Sequence, residues 1–196
     1  MNKKSQILII GFPLYLGEEI YEILRSRGYK NIIINKRLKS KFFSLKNFEK
    51  IFIDNKIDYV FLLGGEYGGI SKNISKPATL MNSNLNLSLN VINLSYKYNI
   101  KKLVYLSSSC IYPNDISKPL EFNMILKGPM EKTSQSYAIS KLAGMELCKA
   151  YKKEMNKNFV SVIPSTIYGP KDNFFSNDAH VIPSLISKIS LAKNNK

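Results

Sequence analysis

Five short runs of nearly continuous apolar residues recur along the chain, and they constrain its fold more than any other feature. They are Gln6–Ile10, Asn31–Asn35, Tyr59–Leu63, Leu103–Leu106 and Phe159–Ile163. Runs of this kind are strands buried on both faces, which requires a parallel sheet covered by helices on its two sides. The segments between them supply the helices. Glu18–Arg27 sets Ile20, Ile23 and Leu24 on one face and stops at Gly28. Lys46–Asn55 spaces Phe48, Ile51 and Phe52 in the same way, and residues 77–99 form a long helical stretch behind Pro77. Ser134–Glu154 and Val181–Ala192 complete the series, with Pro183 tolerated in a first turn.

Right-handed crossovers between such strands make an α/β fold, a Rossmann-like doubly wound parallel sheet. Residues about 64–76, 107–133 and 164–180 follow strand carboxyl ends, where ligands bind in these sheets. The 196 residues suffice for one sizeable core. No apolar run approaches the roughly 20 residues of a membrane-spanning helix. Lys3 and Lys4 ahead of Ile7–Leu16 imitate a secretory leader, yet no small-residue cleavage site follows, so a buried first strand is the better account. Two cysteines, Cys110 and Cys148, are too few for a disulfide scaffold, and one histidine argues against a zinc cluster, so no metal is expected. The net charge of +15 rests almost wholly on scattered lysines; only Arg25, Arg27 and Arg37 carry the bidentate fork that base and phosphate readers favour. It reads as a Lys, Asn and Ile bias, with no nucleic acid or membrane partner implied.

Three motifs carry chemistry. Gly11-Phe12-Pro13-Leu14-Tyr15-Leu16-Gly17 joins the first strand to the first helix, where a glycine turn lets backbone approach a pyrophosphate at the helix amino end. Tyr137 and Lys141 stand four apart on one helical face, so an ammonium there draws the phenol toward its anion. Ser107-Ser108-Ser109-Cys110 directly follows the fourth strand, and a serine hydroxyl there can reach the same carbonyl oxygen as the tyrosine. After the second strand, Asn35-Lys36-Arg37-Leu38 lacks the acidic residue that holds an NAD ribose; Arg37 suits a 2′-phosphate and favours NADP.

Strand, serine cluster and Tyr-x-x-x-Lys helix together describe a short-chain dehydrogenase/reductase site. With Gly68-Gly69-Ile70, Ser108-Ser109-Cys110-Ile111-Tyr112-Pro113, Tyr137-Ala138-Ile139-Ser140-Lys141-Leu142-Ala143-Gly144, Tyr168-Gly169-Pro170 and His180-Val181-Ile182-Pro183 in that order, the chain resembles the GDP-L-fucose synthase family of extended short-chain reductases. The resemblance implies epimerisation of GDP-4-keto-6-deoxy-D-mannose at C3 and C5, then NADPH-dependent reduction at C4. It makes Tyr137 the proton donor to the C4 oxygen, Lys141 the ribose contact that tunes it, and Ser108 a hydrogen-bond partner of the same oxygen. It makes Cys110 and His180 the base and acid of epimerisation. It assigns cofactor contacts to Gly11, Gly17, Arg37, Leu106, Ser107, Ser109, Lys141, Pro164, Ser165, Thr166, Ile167 and His180, and a substrate contact to Lys188. A cytoplasmic homodimer acting on a GDP-sugar is the corresponding expectation.

The sequence departs from that family at several positions. Pro13 and Leu14 stand where the family has an arginine and a glycine, Thr166 replaces asparagine, Glu66 replaces lysine, and Lys188 replaces arginine. Family members also continue into a C-terminal substrate domain, so residues 1–196 read as the NADP-binding domain, ending at the start of a truncated substrate domain. Another nucleotide-sugar epimerase or reductase of the same superfamily is the nearest alternative. A non-catalytic nucleotide-binding remnant is a second, which Pro13 and Leu14 support.

Overall fold

The computed structural model describes residues 1–35, 45–115, 117–175 and 179–194. Its strands are β1 (Ile7–Ile10), β2 (Ile32–Ile34), β3 (Tyr59–Leu62), β4 (Lys102–Leu106) and β5 (Phe159–Val162). They form a five-stranded sheet of order β2-β1-β3-β4-β5, every pairing parallel, with Ile7 opposite both Ile32 and Tyr59. The helices are α1 (Leu14–Ser26), α2 (Leu45–Asn55), α3 (Ile70–Ser75), α4 (Pro77–Lys97), α5 (Gln135–Met155) and α6 (Val181–Asn194).

Alternate residues of each strand point to opposite faces. Leu8, Ile10, Val60, Leu62, Leu103 and Tyr105 join Phe48 and Phe52 of α2, Leu87 and Val91 of α4 and Met145 of α5 in the larger core. Ile7, Ile9 and Leu63 face the other way and pack with Leu16, Ile20 and Leu24 of α1. Double coverage therefore holds for β1 and β3 but not for the far side of the sheet. Val104 and Val160 are only half-buried there, and Val162 is 47% exposed, because no described helix lies over the second face of β4 and β5.

Two further differences from the sequence reading have local causes. Helix α1 begins at Leu14 rather than Glu18, because Pro13, extended at φ −71°, forms its N-cap. The stretch 64–76 holds the short helix α3, whose six residues are too few to show a period. The apolar stretch after Lys4 is the fully buried β1, and no described helix is long and apolar enough to cross a membrane.

Candidate active site

The chain runs from β1 outward to β2, then crosses back to β3 on the other side of β1. Ligands bind at such a switch point, outside the carboxyl ends of the strands. Here the two strand ends are zipped together: the Leu63 N–H donates to the Ile10 carbonyl (2.9 Å) and the Phe12 N–H to the Gly64 carbonyl (2.7 Å). Gly11 makes this approach possible. Its φ is +111°, and a Cβ there would collide with the Gly64 backbone. Gly17 does something else. It is buried in α1, where a Cβ would meet Leu63, Ile34 and Ile9 at 3.3–3.4 Å, so it seats the helix on the sheet and does not line the cleft. Leu14 also lies outside the cleft, in an adjacent hollow of about 410 Å³ beside Tyr15 and Asp172.

The cleft itself holds about 1070 Å³. Leu106, Ser107, Ser108, Ser109 and Cys110 line it from the end of β4, Tyr137 and Lys141 from α5, and Pro164, Ser165, Thr166 and Ile167 from the end of β5. His180, just before α6, and Lys188, midway along it, line the remaining side. The structure thus gathers these candidates into one cavity. Arg37 lies outside the described residues.

The Ser108 hydroxyl accepts from the Cys110 N–H at 3.2 Å, capping the 3-10 turn Ser109–Ile111, and lies beside the Tyr137 phenol. Burial, reinforced by the neighbouring Cys110, pushes Tyr137 well above the usual phenol range, and the Ser108 contact offsets this only partly. The phenol is therefore held protonated. An ammonium-depressed Tyr137 was the expectation from the spacing, and the structure differs because Lys141 is turned elsewhere. Its Nζ donates to the Leu63 carbonyl at 3.2 Å and sits 4.8 Å above the Tyr105 ring. With 1% of its surface exposed, Lys141 is pushed down by burial to about 7.

His180 packs its ring against Tyr67, centroids 5.5 Å apart, and its Nε2 is buried with no hydrogen-bond partner among the described residues. Cys110 is a partly exposed free thiol, whereas Cys148 is in the core, where burial raises its thiol to about 12.

Several supporting residues escape a motif search. Asn84, 1% exposed, accepts from the Gly65 N–H at 2.9 Å and donates to the Glu66 carbonyl at 2.7 Å, fixing the turn after β3. Tyr105 donates to the Lys141 carbonyl at 3.2 Å from beneath. Glu131 accepts from the Thr133 and Ser134 N–H groups and from the Thr133 hydroxyl, which secures the chain entering α5 and holds its carboxyl at about 2. The legible signals are polar residues on the apolar stripe of α4 (Asn84 between Leu80 and Leu87) and consecutive glycines at a strand end.

Serine, tyrosine and a buried lysine thus converge beyond the carboxyl edge of a parallel sheet. The chain belongs to the NAD dependent epimerase/dehydratase family, which it matches over residues 7–196. It is 37% identical over 189 residues to a GDP-L-fucose synthase of Sinorhizobium fredii, covering 96% of this chain and 60% of that protein. It is 32% identical over 185 residues to the GDP-L-fucose synthase of Escherichia coli K12, covering 94% of this chain and 58% of that one. A GDP-mannoheptose C4 reductase from Campylobacter jejuni, solved with NADP bound, superposes with a TM-score of 0.89 at 31% identity over 98% of this chain and 57% of its own. The chain thus spans about 60% of the length of the curated relatives it matches.

Proposed function

We propose that this chain is the NADP-binding domain of a GDP-sugar epimerase/reductase, and specifically of one that converts GDP-4-keto-6-deoxy-D-mannose to GDP-L-fucose. The observation that carries the reading is the convergence of Ser108, Tyr137 and Lys141 with Cys110 and His180 on one cleft. A simple reductase has no use for the last two. The domain boundary, the homodimer and the GDP-sugar belong to the same proposal, and the names of the relatives support it.

The residues fit a dinucleotide. The close approach of Gly11 to Gly64 sets the Gly64 and Gly65 backbone in the cleft wall, and the entry to α1 at Pro13 lines it without an acidic side chain in the first turn. Leu14 lines the neighbouring hollow and not the cleft. Lys141 would hold the ribose, and Arg37 the 2′-phosphate. When bound, NADPH supplies a hydride to a carbonyl carbon.

The chain's own groups manage protons. A C–H bond α to a ketone is acidic enough for a thiolate or an imidazole to break. Cys110 removes that proton from one face, leaving an enolate, and the His180 imidazolium returns a proton to the opposite face, inverting the carbon. At C4, the Tyr137 O–H bond breaks as its proton passes to the carbonyl oxygen, giving the alcohol. Its raised pKa keeps that proton available, and Ser108 orients the same oxygen. The unpartnered His180 Nε2 leaves a buried polar atom that costs about 1–3 kcal/mol, which a sugar hydroxyl in the cleft would relieve.

Substrate-dependent NADPH oxidation tests the reading. Tyr137→Phe should lower it by at least a thousandfold while leaving the NADPH dissociation constant within about twofold, since it removes a proton donor and no nucleotide contact. Turnover close to that of the parent would sink the assignment. NADPH should also bind more tightly than NADH by about 1.5–3 kcal/mol, a gap that shrinks in Arg37→Ala.

A further inference from the structure

Tyr67 is absent from every motif considered above, yet it sits where three segments meet the cleft. Its backbone is clamped from both sides. The Lys72 ammonium donates to the Tyr67 carbonyl at 3.1 Å and pairs with Glu66 at 3.4 Å. On the preceding side, the Glu66 N–H donates to Ser83 Oγ at 3.0 Å and its carbonyl accepts from Asn84. On the following side, Asn73 Nδ2 donates to the Gly68 and Gly69 carbonyls, both at 3.0 Å. The ring meets the His180 imidazole at an interplanar angle of 56°. Its hydroxyl end feels Asp172, a 9% exposed carboxylate on the loop after β5, and burial together with that charge keeps the phenol protonated. Tyr15 of α1 reaches the same carboxylate at 3.4 Å.

Among the described residues, the buried Nε2 of His180 has no hydrogen-bond partner to set its ring. A catalytic imidazole usually owes its orientation to a hydrogen bond at its other nitrogen. Here the aromatic contact is the feature available to supply that orientation, and the Tyr67 backbone beneath it is clamped by the Lys72, Ser83, Asn84 and Asn73 bonds. We infer that Tyr67 is a positioning residue for His180, fixing the imidazole plane in the cleft through ring packing, while Lys72 and Asn73 fix the Tyr67 backbone. The inference rests on the proposed proton-transfer role of His180 and adds the residue that aims it.

Because His180 is the only histidine in the chain, its imidazole C–H signals can be read in a proton–carbon NMR spectrum without ambiguity. In the 196-residue protein, nuclear Overhauser contacts should join those protons to the Tyr67 ring. Tyr67→Leu should displace the imidazole signals and remove the contacts. Tyr67→Phe, which keeps the ring and drops only the hydroxyl, should restore both. Amide spectra report whether each variant is folded, and the parent's inter-ring contacts need no variant. Absence of those contacts in the parent, or imidazole signals unmoved in folded Tyr67→Leu, would overturn the inference. Failure of the underlying reading looks different. It would appear as unimpaired inversion at C3 and C5 of the keto-sugar in His180→Asn, with the parent's inter-ring contacts intact.

Discussion

Lys141 is a lysine with 1% of its surface exposed, and such burial needs a reason. Its surroundings only partly compensate: one carbonyl, from Leu63, and the face of Tyr105 receive the ammonium. Burial lowers it from 10.5 to about 7. The unfolded chain therefore keeps this proton up to high pH, while the folded chain releases it near neutrality. Stability falls as the pH drops from 10.5 toward about 7, then runs level below that. Lys141→Met keeps the stem's packing and removes the charge, so it should stabilise the ligand-free chain. The gain should be about 1–3 kcal/mol at neutral pH and below, shrinking toward pH 10, after allowance for the lost carbonyl and ring contacts. Thermal melts across that range would show it, and a destabilised variant at every pH would contradict the account. The i, i+4 spacing of Tyr137 and Lys141 was legible in the sequence. The direction of the ammonium was not, because it depends on Leu63 and Tyr105, which arrive from two other strands.

At the scale of elements, the strand runs were legible within a residue or two because each is a dense apolar patch with turn residues around it. The polar residues buried in α4, namely Ser83, Asn84, Ser88 and Ser95, interrupt its apolar stripe, but what they bond to was not legible. Their partners are backbone groups and side chains of α4 itself and of the strand ends, which no periodicity announces. Helix α5 shows how tight one of these contacts is. Gly144 lies against Tyr105 of β4, and a Cβ at that position would stand 2.5 Å from the ring's Cζ and Oη. Glycine is there for closeness of approach, not for its backbone freedom. Gly144→Ala should therefore cost about 1–3 kcal/mol despite alanine's better helix propensity. It should also shift the Tyr105 hydroxyl away from the Lys141 carbonyl it now bonds at 3.2 Å. Shortening the neighbour should rescue it: Gly144→Ala with Tyr105→Leu should lose less in urea unfolding than the sum of the two single changes. Strict additivity would mean that the two positions do not press on each other.

Across the whole molecule, the site is complete on the side built by β1, β3, β4 and α5, and thin on the side of α6. Lys188 reaches the cleft from α6, yet the helix leaves Val181 64%, Leu185 51% and Ile189 69% exposed. The second face of β4 and β5 is likewise uncovered, with Val162 47% exposed. Parallel sheets are normally covered on both faces, and exposed apolar surface of this kind marks an interface. The curated relatives it matches are longer than this chain. NADPH needs mainly the strand ends and α1, whereas a GDP-sugar needs walls on both sides to exclude water and fix its orientation. The 196-residue chain alone should therefore bind NADPH but oxidise it with GDP-4-keto-6-deoxymannose at least about a hundredfold more slowly than a two-domain relative, the scale of loss that misplacing a substrate by an ångström produces. It should also self-associate through its open faces, with a sedimentation coefficient that rises with concentration. Brisk, substrate-dependent NADPH oxidation by a chain that sediments as a monomer at every concentration would show instead that residues 1–196 build a whole sugar site, and that the exposed valines and isoleucines of α6 and β5 are surface rather than interface.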